Sequence, residues 1–167
     1  IEQDLKAFWE SSFFGAKNRF EFEGINGPII AVHGIWGIWT RLGLRDYMAR
    51  KNVKGVLVDF GYLEKGIDSY VGLLDDEIKK FPNALLLGFS AGGFVALRYA
   101  QRYGWDKFRK IITIATPFNG TPYVRFLKRG VQTFQEISEG SKFLRSFSEI
   151  KPSSLRPFNS LSFSRTS

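Results

Sequence analysis

The chain has 167 residues, of which 44% are hydrophobic, and this length and composition fit a single domain with a packed core. It contains no cysteine, which excludes disulfides and thiolate zinc sites, and no apolar run reaches the roughly 18 residues that a transmembrane helix needs. The net charge of +8 is uneven, because residues 1–106 are neutral whereas residues 107–167 carry 11 Lys and Arg against three Glu.

The predicted elements alternate between strands and helices along most of the chain. Residues 1–23 predict a helix followed by a short strand. Further strands are predicted at 27–34, 54–61, 83–90 and 109–117, with helices at 39–52, 66–82 and 91–104. Each of these further strands is a short, continuous apolar run. Such strands alternating with helices predict an α/β fold, with a mostly parallel sheet covered by helices on both faces.

The pattern changes beyond Pro122. Residues 123–150 are predicted to be helical, basic and apolar on one side. Residues 151–167 contain two prolines, no acidic residue and six serines in the last 15 positions, which predicts an irregular tail. The expected organisation is therefore a core over residues 1–150, with a partial helical cap at 123–150, followed by the tail at 151–167.

Ser90 lies in the sequence GFSAGG, between the predicted strand at 83–90 and the predicted helix at 91–104. A serine at such a strand-to-helix corner is raised above the sheet edge, beside the free N–H groups of a helix N-terminus. Gly88 and Gly92 would allow strand and helix to approach closely, because they lack side chains. We therefore predict Ser90 as a nucleophile, with the Ala91 N–H as a donor to a developing oxyanion.

A second motif, IIAVHGIWG, spans residues 29–37. A strand that ends in His33-Gly34 and continues into a glycine-containing loop can supply the other oxyanion donor, for which we predict the Ile35 N–H. His33 is interpreted as a structural brace of this loop rather than as a catalytic base, because the loop faces the oxyanion side of the serine. Trp36 and Trp39 are candidates for the wall of an acyl pocket.

The stretch from Pro28 to Pro122 resembles the α/β-hydrolase superfamily, and within it the compact lipases and esterases such as the triacylglycerol lipases. The resemblance rests on VHGIWG, on GFSAGG and on ATPFNGTP at 115–122, and more loosely on EGSKFLRSF at 139–147. It implies hydrolysis of a carboxylic ester through an acyl-enzyme on Ser90. It also implies oxyanion donors at Ile35 and Ala91, with Gly88, Gly92, His33 and Gly34 as supporting residues.

The rest of the machinery that this resemblance implies is not found in the sequence. The superfamily orders its triad as nucleophile, acid and histidine, whereas no histidine follows Ser90 and the only later aspartate, Asp106, comes too early. A serine without a general base is a poor nucleophile at neutral pH. The 167 residues alone are therefore expected to be inactive, or nearly so, toward esters.

Three hypotheses account for this incompleteness. The favoured one is the N-terminal part of a longer hydrolase, truncated before the strands that bear the acid and the histidine, whose absent portion would bring acidic residues. The second is a complete, non-catalytic relative that binds an acyl ligand or a partner. The third is a basic binder of membrane surfaces or nucleic acid, although no nucleic-acid motif occurs and the basic residues alternate with apolar core positions.

The sequence implies no metal and no cofactor. The expected partner is a small-molecule or lipid ester, not nucleic acid, with peripheral membrane contact and self-association through an open sheet edge as further hypotheses. The N-terminus lacks a basic-then-apolar signal, which leaves the compartment open, with the cytoplasm as the working expectation.

Overall fold

The computed structural model describes residues 20–22, 27–35, 43, 46, 48–50, 52, 54–61, 63–125 and 131–148. The predicted helix within residues 1–23, most of the one predicted at 39–52, and the tail at 151–167 lie outside these residues. The elements in chain order are β1 (Phe20–Phe22), β2 (Ile29–Val32), β3 (Gly55–Val58), α1 (Asp68–Lys80), β4 (Leu85–Phe89), α2 (Ala91–Tyr103), β5 (Lys110–Ile114), a 3₁₀ helix (Pro122–Arg125), α3 (Gln132–Glu136) and α4 (Lys142–Ser148).

The strands form one sheet in the order β1-β3-β2-β4-β5. β1 runs antiparallel to β3, and the other neighbouring pairs are parallel. The predicted mostly parallel α/β sheet with helices is confirmed. From β2 the chain continues to β3, which pairs with β2 on one side. The next strand, β4, pairs with β2 on its other side, so the direction in which strands are added reverses between β2 and β4. In open α/β sheets, the crevice at such a reversal, beyond the carboxyl ends of the strands, is where ligands bind.

The main core lies between one sheet face and the two long helices. Ile30, Val56 and Leu86 point to this face and are buried together with Phe94 and Val95 of α2. The opposite face is also covered at its centre, because Ala31 and Leu57 alternate to that side and are fully buried. This burial on both faces explains why the central strands are continuous apolar runs.

A polar contact joins the two long helices. The Tyr99 hydroxyl of α2 donates a hydrogen bond of 2.9 Å to the Asp75 carboxylate of α1. Lys79 is also paired with Asp75 at 2.6 Å, and these two donors hold the pKa of Asp75 below its usual value. Burial, and then this hydrogen bond, raise the pKa of Tyr99, so the phenol stays protonated and remains the donor.

Residues 131–148 are helical as predicted but do not form one helix. Gly140 lies between α3 and α4 and has a φ of 71°. This left-handed conformation prevents the two helices from continuing into one another. Ser141 then starts α4, because its hydroxyl accepts a hydrogen bond of 3.0 Å from the Leu144 N–H in the manner of an N-cap. We call residues 131–148 the helical pair.

The helical pair is attached to the loop at 63–67, which follows β3. The Glu136 carboxylate accepts a hydrogen bond of 2.7 Å from the Ile67 N–H, and the Thr133 hydroxyl accepts one of 3.2 Å from the Gly66 N–H. Gly66 has a φ of 84°, and a methyl group there would lie 2.7 Å from the Gln132 side chain. A side chain at position 66 would therefore be strained by the positive φ and would displace the ends of the Gln132 and Glu136 side chains.

Glu136→Gln is expected to raise the free energy of unfolding near neutral pH and to leave it unchanged in acid. Burial raises the pKa of Glu136 above its usual 4.5, although the Ile67 N–H and Gln132 oppose this. A raised pKa gives stability that is present below the usual pKa and is lost as the pH rises through the folded-state pKa. Glutamine keeps an acceptor for the Ile67 N–H without a buried charge.

Urea unfolding of both proteins between about pH 4 and pH 7 measures this difference. Glu139→Gln, at an exposed glutamate three residues later, is the matched control and should not change with pH in this way. A gain for Glu136→Gln that is the same at every pH would contradict the explanation by burial of a charge.

Candidate active site

Ser90 occupies a strained corner between β4 and α2. Its φ is 50° and its ψ is −123°, a conformation that costs a non-glycine residue about 1–3 kcal/mol. The corner is held by hydrogen bonds, because the Ser90 N–H donates to the Ile114 carbonyl at 2.8 Å and the Ser90 carbonyl accepts from the Gly93 N–H at 3.1 Å. Ser90 itself is half-buried.

The loop after β2 reaches this corner across the reversal in strand order. A methyl group added at Gly34 would lie 2.9 Å from the Ser90 Cβ and 3.2 Å from the Phe89 carbonyl oxygen. The absence of a side chain at Gly34 is thus what lets the loop contact the serine. Gly34 and Ser90, which are 56 positions apart in sequence, thus meet at the crevice where a ligand is expected.

The glycines that flank Ser90 permit close contacts between backbones. A methyl group at Gly88 would lie 2.5 Å from the Gly93 Cα, and one at Gly92 would overlap the carbonyl oxygens of Val32 and His33. Because Val32 belongs to β2, which is held between two neighbouring strands, its carbonyl has little room to retreat. The start of α2 can therefore pack on β2 only if position 92 is glycine.

His33 lies fully buried beside the same loop. Its Nδ1 is 2.5 Å from the Gly34 carbonyl oxygen, and its Nε2 accepts a hydrogen bond of 3.0 Å from the Phe60 N–H. The Asp59 carboxylate lies 3.3 Å from Nε2 and also accepts from the Gly61 N–H at 2.9 Å. With both ring nitrogens engaged in this way, His33 ties the loop after β2 to the end of β3, which supports its interpretation as a brace.

The two candidate oxyanion donors follow the two motifs directly. Ala91 is the first residue of α2 and is fully buried, and Ile35 comes immediately after Gly34 and packs against the core. The structure therefore brings the residue ranges 33–35 and 88–92 together around Ser90. Their catalytic roles stay predictions. Trp36 and Trp39, the candidates for an acyl pocket, lie outside the described residues.

A third segment, residues 114–118, completes the surroundings of Ser90. The Thr116 hydroxyl donates a hydrogen bond of 2.9 Å to the Ser90 carbonyl. Ile114 and Phe118 are 44% and 48% exposed and are the large hydrophobic side chains that the described part of the chain leaves most open to solvent. Neither the Thr116 contact nor this apolar surface was predicted, although the motif ATPFNGTP pointed to the segment.

The described residues contain no group of three or more His, Cys, Asp or Glu side chains that could hold a metal ion. Nor does any helix among them have the length and apolar character needed to cross a membrane.

Comparisons with known proteins agree with this geometry. Residues 68–143, which run from α1 through the serine corner to the start of α4, match the protein family described as "Alpha/beta hydrolase of unknown function (DUF915)". The solved structures that match share this fold. The chain therefore has an α/β-hydrolase-like fold. No curated protein matches it.

Three of the similar structures illustrate the match. The lipase BlEst2 of Bacillus licheniformis has a TM-score of 0.63 and 16% identity, over 80% of this chain and 64% of that one. A monoacylglycerol lipase of Paleococcus ferrophilus has a TM-score of 0.55 and 17% identity, over 68% and 51%. The N-formylmaleamic acid deformylase of Pseudomonas putida has a TM-score of 0.52 and 22% identity, over 61% and 43%.

At these identities the similarity establishes the fold alone. The chain spans only 43 to 64% of the length of these three proteins. The strand order, the reversal between β2 and β4 and the strained serine are features of this chain itself.

Proposed function

We propose that Ser90 is the nucleophile of a carboxylic-ester hydrolase. The observation that carries this proposal is the strained Ser90 backbone at the point where the strand order reverses, with the Gly34 loop in contact with it. Strain of this kind persists only where the surrounding structure fixes it, and it is concentrated at functional sites. The lipases among the similar structures support esters as the substrate class.

The proposed reaction has two steps. The Ser90 Oγ attacks the carbonyl carbon of the ester, its proton passes through a general base to the departing alkoxide, and the acyl group remains on Ser90. Water then attacks the acyl carbon, which releases the acid and restores the hydroxyl. In both steps the N–H groups of Ala91 and Ile35 would stabilise the oxyanion.

An apolar acyl group is the best candidate for the part of the substrate next to Ser90. Ile114 and Phe118 leave about half of their surfaces open, although both belong to the segment that holds the Ser90 backbone. Apolar surface that stays exposed beside a nucleophile is well suited to an acyl chain, because the chain would remove it from water.

The general base is the component that these 167 residues do not supply. His33 is the only histidine of the sequence, and both of its ring nitrogens are engaged with backbone groups of the protein. We therefore expect the chain alone not to hydrolyse esters, and Ser90→Ala to leave its background rate unchanged. An external base that can enter the crevice should restore part of the activity, as removal of a triad member leaves the oxyanion hole in place.

Imidazole provides this test. Release of p-nitrophenol from p-nitrophenyl butyrate is measured for the chain and for Ser90→Ala at increasing imidazole concentration. Without imidazole the two rates should be equal, and with imidazole the unmodified chain should become faster in proportion to its concentration. Mass spectrometry should then find a butyryl group on Ser90. Equal rates at every concentration, with no acylated Ser90, would overturn the proposal.

A second candidate function is binding of an acyl ligand or a partner without turnover. It is favoured by the same observation on His33, since a protein that needs no base can use its histidine as a brace. Saturable binding of a fatty acid that Phe118→Ala weakens, together with no imidazole-dependent rate, would select this function over hydrolysis.

A further inference from the structure

Thr116 contacts the backbone of Ser90 although it is 26 positions away. Its hydroxyl donates a hydrogen bond of 2.9 Å to the Ser90 carbonyl oxygen, and the contact is partly buried. Ala115, the residue before it, has a φ of 52°, which ends β5 after Ile114. The chain therefore turns at the end of β5 and brings the Thr116 side chain to the serine corner.

The helix that follows Ser90 makes room for this hydroxyl. A methyl group on Gly93 would overlap the Thr116 Oγ1 and would lie 3.1 Å from the Thr113 Cγ2. A side chain at position 93 would thus displace the hydroxyl from the Ser90 carbonyl. Gly93 is the second glycine of the pair that follows Ala91, and this contact gives it a role that the Gly-x-Ser-x-Gly pattern does not include.

The Ser90 carbonyl and the Ala91 N–H belong to one peptide unit. Because a trans peptide is planar, the C=O and N–H bonds of that unit point in opposite directions. A hydrogen bond that fixes the carbonyl also fixes the direction of the N–H. The Thr116 hydroxyl and the Gly93 N–H both bind this carbonyl, so they hold it from two different elements.

We propose that Thr116 is a positioning residue that locks the Ser90–Ala91 peptide and thereby aims the Ala91 N–H at the developing oxyanion. This rests on the proposed function of Ser90. Thr116 does not touch the substrate and transfers no proton. Its effect is on the orientation of a donor, which matters only when negative charge develops on the carbonyl oxygen, and hence on the rate of acylation rather than on binding.

Thr116→Val tests the proposal, because valine has the same shape and lacks the hydroxyl. Thr116→Ser, which keeps the hydroxyl, is the matched control. Two measurements are made on the full chain. Amide hydrogen exchange reports how firmly the Ser90 and Gly93 amides are held, with the Ile30 amide in the centre of the sheet as an internal reference. The Ser90-dependent rate of p-nitrophenyl butyrate cleavage in imidazole reports catalysis.

We expect Thr116→Val to increase exchange at Ser90 and Gly93 and not at Ile30. Its Ser90-dependent kcat should fall about tenfold with an unchanged KM, which is less than the hundredfold or greater loss that follows removal of a whole oxyanion donor. Thr116→Ser should restore both. If valine crowds Gly93 and prevents folding, Thr116→Ala gives the same comparison.

The outcomes separate this proposal from the one on which it rests. Unchanged exchange at Ser90 and Gly93 in Thr116→Val would overturn the positioning role, whatever the rates. Faster exchange with an unchanged Ser90-dependent rate would overturn the link to the oxyanion. If Ser90→Ala equals the unmodified chain in imidazole, the proposed function itself fails, and the catalytic part of this inference fails with it.

Discussion

Gly92→Ala is expected to destabilise the protein by at least about 3 kcal/mol, or to prevent folding. The added methyl group would overlap the carbonyl oxygens of Val32 and His33, which are backbone atoms. Overpacking by a side chain can be relieved through a new rotamer, whereas here β2 is hydrogen-bonded to β3 on one side and β4 on the other. Since domains are stable by only about 5–15 kcal/mol, such a loss is large.

Urea unfolding followed by circular dichroism measures this loss, and Gly72→Ala is the control. Gly72 lies on the exposed side of α1, where an added methyl group would find no atom within 4 Å. Alanine in a helix interior is more favourable than glycine by about 0.5–1 kcal/mol, so this variant should be more stable. If Gly92→Ala and Gly72→Ala lowered the free energy of unfolding by similar amounts, the contact of position 92 with β2 would not be the cause of the loss.

The sheet and its two long helices could be predicted from the sequence because their signals are local. A strand that is buried on both faces must be apolar throughout, and a helix that packs on one face has apolar spacing. The predicted strand at 83–90 is observed as Leu85–Phe89, and the predicted helix at 66–82 as Asp68–Lys80. The strand predicted at 109–117 ends at Ile114, because Ala115 adopts a positive φ that a pattern of apolar residues does not reveal.

The contacts that surround Ser90 are different, because they join residues far apart in sequence. The motifs predicted that the ranges 33–35 and 88–92 would meet, since each motif has a composition suited to a tight turn. The Asp59 carboxylate near His33 and the Thr116 hydroxyl on Ser90 have no such local signal. A threonine after a strand is common, and only the fold places this one on the carbonyl of the nucleophile.

The helical pair shows the same limit. Its composition predicted helix, and the break at Gly140 and Ser141 was missed although glycine and serine are common at helix ends. In the structure Phe134 and Leu144 are buried in the core, so they stabilise the pair on the protein rather than face a ligand.

Phe94→Ala is expected to cost about 3–5 kcal/mol and to loosen α4 in particular. Phe94 is fully buried one turn after Ser90, and its ring centroid lies 5.2 Å from that of Phe147, 5.6 Å from Phe143 and 5.7 Å from Phe118. It is therefore the centre of an aromatic cluster that joins α2 to α4 and to the segment beside Ser90. Its removal would leave a cavity at the point where all three meet.

Arg98 gives α4 a second attachment that should survive in this variant. Its guanidinium lies 4.9 Å from the ring centroids of both Phe143 and Phe147 and donates a hydrogen bond of 3.1 Å to the Ser146 hydroxyl. We therefore expect α4 to stay helical in Phe94→Ala while its amides exchange faster than those of α1. Thermal unfolding and hydrogen exchange measure the two effects.

Phe118→Ala is the matched control for Phe94→Ala, since it removes one edge-to-face partner of the same ring from a half-exposed position. Its cost should be about 1 kcal/mol, with exchange in α4 unchanged. If Phe118→Ala is as damaging as Phe94→Ala, the exposed phenylalanine is part of the structural core, and its proposed availability to an acyl chain would be wrong. If it is mild, the aromatic cluster has a buried side that holds α4 and an open side that faces the serine corner.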